Sequence, residues 1–108
     1  MNTPELYRLH AQMCKVFSSP LRLEIIDLLR DGERTVSQLS ERLRVPIATV
    51  SQHLAVMRAQ RILVSRRDGN LRYYRVANAK IFAAFDSLRE ILFERIEAEH
   101  ALLEGGNW

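Results

Sequence analysis

Residues 48–58 read ATVSQHLAVMR. Val50, Leu54 and Met57 recur at helical spacing and define one apolar stripe. Between them, in the first turns, stand Thr49, Ser51, Gln52 and His53. Such a helix hides its back and offers short hydrogen-bonding side chains at its N-terminal end. Its neighbours along the chain decide what it is for.

Upstream, Thr3-Pro4-Glu5 reads as an N-cap, a proline at the first helical position and an acid in the first turn. Leu6, Leu9, Met13, Val16 and Phe17 then mark one face of a first helix that runs to about residue 18. Ser18-Ser19-Pro20 repeats the start signal for a strongly apolar second helix, which stops near Asp31-Gly32. Thr35 caps a short third helix carrying Val36, Leu39 and Leu43, and Arg44-Val45-Pro46 connects it tightly to a fourth helix over residues 47–60. Downstream, Asp68-Gly69-Asn70 lies between two β-rich runs, which is a hairpin signal. Residues 79–104 read as one long helix, and residues 105–108 (GGNW) as a loose tail.

A short helix joined by a tight turn to a helix with a polar start is helix-turn-helix grammar, and the hairpin adds a wing. The expected fold is mainly α with a small β-hairpin wing, in the order α-α-α-α-β-β-α. It forms a single domain, 1–108, with terminal dimerisation helices at 1–18 and 79–104. In that arrangement Thr49, Ser51, Gln52 and His53 face outward from the end of the helix that enters a DNA major groove. A glutamine there can bind adenine bidentately.

Charge agrees by position more than in total. The chain carries a net +3, with 16 basic and 13 acidic residues. Residues 30–75 hold ten arginines against Asp31, Glu33, Glu41 and Asp68, whereas the segment after them is acidic. A basic middle implies a local polyanionic target, and the planar fork of arginine suits phosphates and guanine edges. No apolar run approaches a membrane span, and the first dozen residues show no signal-peptide core. The lone Cys14 excludes a disulfide framework within the chain. These features lead us to expect a cytoplasmic protein. No acid–base or nucleophile constellation of an enzyme is visible.

The segments FSSPLRLEIIDLL, TVSQLSERL, ATVSQHLAVMR and RRDGNLRYYRV, in this order and spacing, resemble the ArsR/SmtB family of winged helix-turn-helix repressors. The resemblance covers residues 10–77 and implies a homodimer on a palindromic operator, released by a ligand that is most often a metal ion such as zinc. Carried over by position, it implies DNA contacts at Ala48, Thr49, Ser51, Gln52 and His53, with Gln52 and Thr49 on bases. A second reading of His53 is a bridge to a neighbouring helix. Ser37 and Gln38 are phosphate candidates. Arg66, Arg67 and Arg72 are phosphate or minor-groove candidates in the wing, or else charges that keep an edge strand soluble.

The sequence departs from the family pattern in three places. Arg61 stands where a glycine usually precedes the wing, so the end of the fourth helix is expected to be shaped differently. Asn70 replaces a basic residue at the wing tip. The family's Cys-x-Cys sensor position holds Val36, Ser37 and Gln38, and its Asp-x-His position holds Asp86 and Leu88.

The remaining sensor candidates are Cys14 with His10 one helical turn before it, and Glu97, His100 and Glu104 on one face of the last helix. For Cys14, a metal ligand, a redox-active thiol and an interface packing residue all stay open. For Glu97, His100 and Glu104 the alternative is a solvated helix end.

The last helix carries two apolar stripes, one through Phe85, Leu88, Leu92 and Ile96 and one through Ile81, Leu88, Ile91 and Leu102. One suffices for packing on the chain itself; the second implies a twin subunit. The expected interface is Leu6, Leu9, Met13, Leu88, Ile91, Leu92 and Leu102. A different class, a winged-helix protein-interaction module without operator binding, is separated from this reading by the salt dependence of binding.

Overall fold

The computed structural model describes residues 1–105, which fall into two compact units, residues 1–78 and the helix beyond. Residues 106–108 of the expected tail lie outside the described residues, and Gly105 closes the last helix.

In the first unit α1 spans Thr3–Val16 and α2 spans Pro20–Leu28. The cap of α1 is Asn2 and not Thr3: the Asn2 side chain accepts from the Glu5 N–H at 2.9 Å, and Thr3 is already helical. Ser19 caps α2 as its sequence suggests, accepting from the Arg22 N–H at 3.3 Å.

Next comes an element that sequence reading missed, the two-residue strand β1 at Arg34–Thr35. Helix α3 spans Val36–Leu43 and α4 spans Ile47–Ala59. Strands β2 (Leu63–Asp68) and β3 (Leu71–Val76) form the hairpin around Gly69 and Asn70, with Gly69 at φ 62°. The sheet therefore has three antiparallel strands in the order β1-β3-β2, so the observed order is α-α-β-α-α-β-β-α. Thr35 pairs with Tyr73 in the sheet and also caps α3, in a reciprocal box with Gln38.

The core lies where the stripes of the helices converge. Ile25, Ile26, Leu39, Val50, Leu54 and Met57 are fully buried, and Leu63 brings the base of the wing into the same core. Each such side chain contributes roughly 1.5–3 kcal/mol by leaving water. The stripe read at 48–58 is thus the inward face of α4.

The junction between α4 and the wing corrects one expectation. Arg61 adopts the left-handed turn at φ 61° that a glycine would adopt without strain. The Arg61 N–H donates to the Arg58 carbonyl and the Ile62 N–H to the Met57 carbonyl, both at 2.9 Å, which closes α4 in a Schellman motif. The helix end keeps its shape, and the missing glycine costs about 1–2 kcal/mol of backbone strain.

The second unit is α5, Lys80–Gly105. Phe85 is buried, while Leu88, Ile91, Leu92, Phe93, Ile96, Leu102 and Leu103 are exposed. No helix among the described residues is long and apolar enough to cross a membrane.

Candidate nucleic-acid interface

The turn between α3 and α4 sets the direction of α4. Arg44 takes φ 56°, and the Arg44 and Val45 N–H groups both reach the Ser40 carbonyl. The Ser40 hydroxyl donates to the Val45 carbonyl at 2.5 Å. Pro46 then starts α4 with no side-chain cap bond, although its carbonyl accepts from the Thr49 and Val50 N–H groups. An uncapped helix start presents N–H donors and a positive dipole end, which suits an anion.

With Val50, Leu54 and Met57 facing inward, helical geometry puts Ala48, Gln52, Ala55 and Ala59 on the opposite side of α4. Gln52 and Ser51 are exposed and Thr49 is half-buried on a flank. Ala55, Val56 and Ala59 belong to the same exposed surface and were missed in the sequence. Their signal was present, since the buried stripe fixes the outward one. Small side chains around a single amide let a helix backbone approach a flat surface closely.

His53 leans the other way. Arg22 Nε donates to His53 Nδ1 at 3.0 Å, and Arg22 Nη1 donates to the Val16 carbonyl at 3.2 Å. Half-burial and then the nearby guanidinium hold the imidazole pKa below its ordinary value. The ring accepts at Nδ1, as a neutral imidazole does, and through Arg22 it bridges α4 to α2 and to the end of α1. In this geometry Nδ1 is committed within the protein.

The wing separates its arginines. Register pairs Arg66 with Tyr73 and Arg67 with Arg72, so Arg66 lies on one face and Arg67 and Arg72 on the other. Arg66 is bound to the Glu33 carboxylate, with Nε 2.9 Å from both oxygens, and its guanidinium lies 4.6 Å from the Tyr73 ring centre. The ion pair holds the Glu33 carboxyl below its usual range and raises Arg66. Arg72 donates to the Ser65 hydroxyl at 2.9 Å, and Arg67 is exposed. Sequence reading treated the three as equivalent. The Arg66–Glu33 pair joins residues 33 positions apart, beyond any local pattern.

At the start of α3, Ser37 is exposed, whereas the Gln38 carbonyl oxygen accepts from the Thr35 N–H and is taken by the cap. The sensor candidates do not gather into a metal site. Cys14 and His10 are exposed on α1. His100 Nε2 lies 2.9 Å from Glu104, at the exposed end of α5. No group of three or more His, Cys, Asp or Glu side chains that would hold a metal ion exists among the described residues. The donors among the described residues of one chain do not fit a metal.

A fold of this kind, with an exposed polar helix between a tight turn and a basic wing, is that of a DNA-binding transcriptional regulator. Residues 19–65 match the bacterial regulatory proteins of the arsR family, and the chain belongs to the ArsR/SmtB family. It is 31% identical over 105 residues to the uncharacterised regulator Rv0081 of Mycobacterium tuberculosis, covering 96% of this chain and 92% of that protein. The crystal structure of Rv0081 superposes with a TM-score of 0.81 at 30% identity, over 89% of this chain and 97% of that one. A solution structure of the homodimeric winged helix-turn-helix domain of Mb0332 from Mycobacterium bovis matches with a TM-score of 0.76 at 28% identity, over 85% and 88% of the two chains. The transcriptional activator HlyU of Vibrio cholerae is 28% identical over 84% of this chain and 87% of its own length. These relatives are named as transcriptional regulators or their DNA-binding domains, the class that the sequence suggested.

Proposed function

We propose that the protein is a cytoplasmic homodimeric repressor that binds a palindromic operator through α4 and the wing. The observation that carries this reading is the outward surface of α4. Gln52 stands between Ala48 and Ala55 in the N-terminal half of a helix whose start has no side-chain cap and whose inner stripe is fully buried. Gln52 and Thr49 read base edges, and Ala48 or Ala55 meets a thymine methyl. Ser51, Ser37, Arg67 and Arg72 meet phosphates and fix the register. Because Arg66 and His53 are occupied within the protein, they position the wing and α4 and contribute less to direct contact.

The exposed apolar side chains support the dimer: Leu6, Leu9 and Met13 on α1, and Leu88, Ile91, Leu92 and Leu102 on α5. Each of these is 41–63% exposed in a single chain, and a twin subunit is the simplest cover. Two recognition helices then sit about 34 Å apart, one DNA turn. The chain is a single winged domain with dimerisation helices at its ends. Release by a thiol-reactive signal falls to Cys14, exposed on α1. Release by a metal finds no support in the donors of one chain.

The test is selection from a randomised duplex pool, followed by transcription in vitro from the selected site. Enrichment of a palindrome, lost with Gln52→Ala, and reduced transcription on adding protein are the expected results. Stimulated transcription would make it an activator, as HlyU is named. No enrichment at low salt would move the weight to a protein-interaction module. Oxidant or thiol-reactive compounds should release wild type from DNA and leave Cys14→Ser bound.

A further inference from the structure

On the outer side of α3 lies a concavity of about 510 Å³, lined by Arg34, Gln38, Glu41, Arg42 and Arg44. We infer that it binds a phosphate group, supplied by the backbone of the DNA that α4 reads.

Three guanidinium groups meet one carboxylate there. Arg34 comes from β1, Arg42 from the last turn of α3 and Arg44 from the turn before α4. Arg34 is anchored by its Nε, which donates to the Leu28 carbonyl at 2.7 Å, and this leaves its two terminal nitrogens as donors. No hydrogen bond or ion pair engages the guanidinium of Arg42 or Arg44 among the described residues. The capping box uses the Gln38 carbonyl oxygen and leaves its amide N–H₂ as a further donor. The lining is thus rich in donors and short of acceptors. Such a set suits a tetrahedral oxyanion and not an apolar ligand or a cation.

Placement names the source. Arg44 sits in the left-handed turn that leads into the uncapped start of α4. A phosphodiester held by Arg42 and Arg44 would flank the groove that Gln52 enters. This step rests on the proposed DNA binding, and the test separates the two.

The test uses the full-length chain, wild type, Arg42→Gln and Arg44→Gly. Glycine suits the left-handed turn, so Arg44→Gly removes the charge without harming the backbone. Affinity for the selected operator and for unrelated duplex is measured against salt. Each variant should lose about tenfold in affinity on both duplexes. The slope of log affinity on log salt should fall by about 0.9 per lost phosphate contact, and the base preference should not change.

Neutral methylphosphonate linkages placed one at a time across the operator flank should weaken wild type at one position and leave Arg42→Gln unaffected there. A parallel titration of DNA-free protein with inorganic phosphate follows the arginine Nε–H signals by NMR. Saturable shifts confined to Arg34, Arg42 and Arg44, with no effect of the linkages, would assign the site to a free phosphate compound. Variants with wild-type affinity and slope, together with no phosphate shifts, would overturn the inference while operator binding stands. If wild type binds no DNA, the functional reading fails and the phosphate titration alone decides the site.

Discussion

Arg61 and His53 show how single residues hold α4 in place. Arg61 occupies a left-handed position within the Schellman motif. Glycine there should relieve the strain and raise the unfolding free energy by about 1 kcal/mol, which denaturant titration will read as a higher midpoint at unchanged slope.

His53 carries a pH dependence whose sign follows from its environment. Its pKa is lowered from 6.5 in the folded protein, so below that pH the unfolded chain takes up the proton more readily. Its contribution to stability is complete above about 6.5 and is lost as the pH falls from there towards the native value. Protonation would also remove the acceptor that Arg22 Nε uses and place two cations together. Thermal melts between neutral and mildly acidic pH should show a slope that His53→Gln reduces. An unchanged slope in that variant would assign the acid sensitivity elsewhere.

At the scale of elements, α4 has a buried face that builds the core and an exposed face to which the proposed function gives DNA recognition. Leu54 is fully buried, so Leu54→Ala should cost about 2–5 kcal/mol. Gln52 is exposed, and Gln52→Ala should change stability by less than about 0.5 kcal/mol while lowering operator affinity by about 1–3 kcal/mol. Melts and binding curves on the same two variants check both. If Gln52→Ala binds normally, α4 is not the reading element.

The helices, the hairpin and the buried stripe of α4 were legible because each is written locally, in caps, periodicity and turn residues. Strand β1 was not, because two residues have no period and become a strand only beside Tyr73 and Tyr74. The cap of α1 was misplaced by one residue, since Asn2 and Thr3 both have the chemistry for it. Within the candidate site, the outward residues of α4 followed from its inward ones. The tie of Arg66 to Glu33 joins distant positions and leaves no trace in spacing; the bridge from His53 was one of its two sequence readings, but its partner Arg22 was not legible.

At the scale of the whole molecule, α1 and α5 carry exposed apolar side chains that the proposed dimer would cover. Tyr7 and Met13 on α1, and Leu88 and Ile91 on α5, are all about half exposed or more. Replacing Leu88 and Ile91 by glutamate should leave the fold of residues 1–78 intact and yield a monomer by sedimentation. If the proposed dimer engages two half-sites, operator affinity should fall by about 10² or more. A variant that still sediments as a dimer would place the interface on other residues.

Thr35 belongs to two structures at once. Its backbone extends the sheet beside Tyr73, and its hydroxyl accepts from the Gln38 N–H at 3.2 Å to begin α3. Moving the base of the wing away from β1 therefore disturbs the same residue that caps α3. In amide hydrogen exchange, β1, the adjoining part of β3 and the first turn of α3 should lose protection together, as one cooperative unit. The exposed wing tip beyond Arg67 should exchange independently and faster.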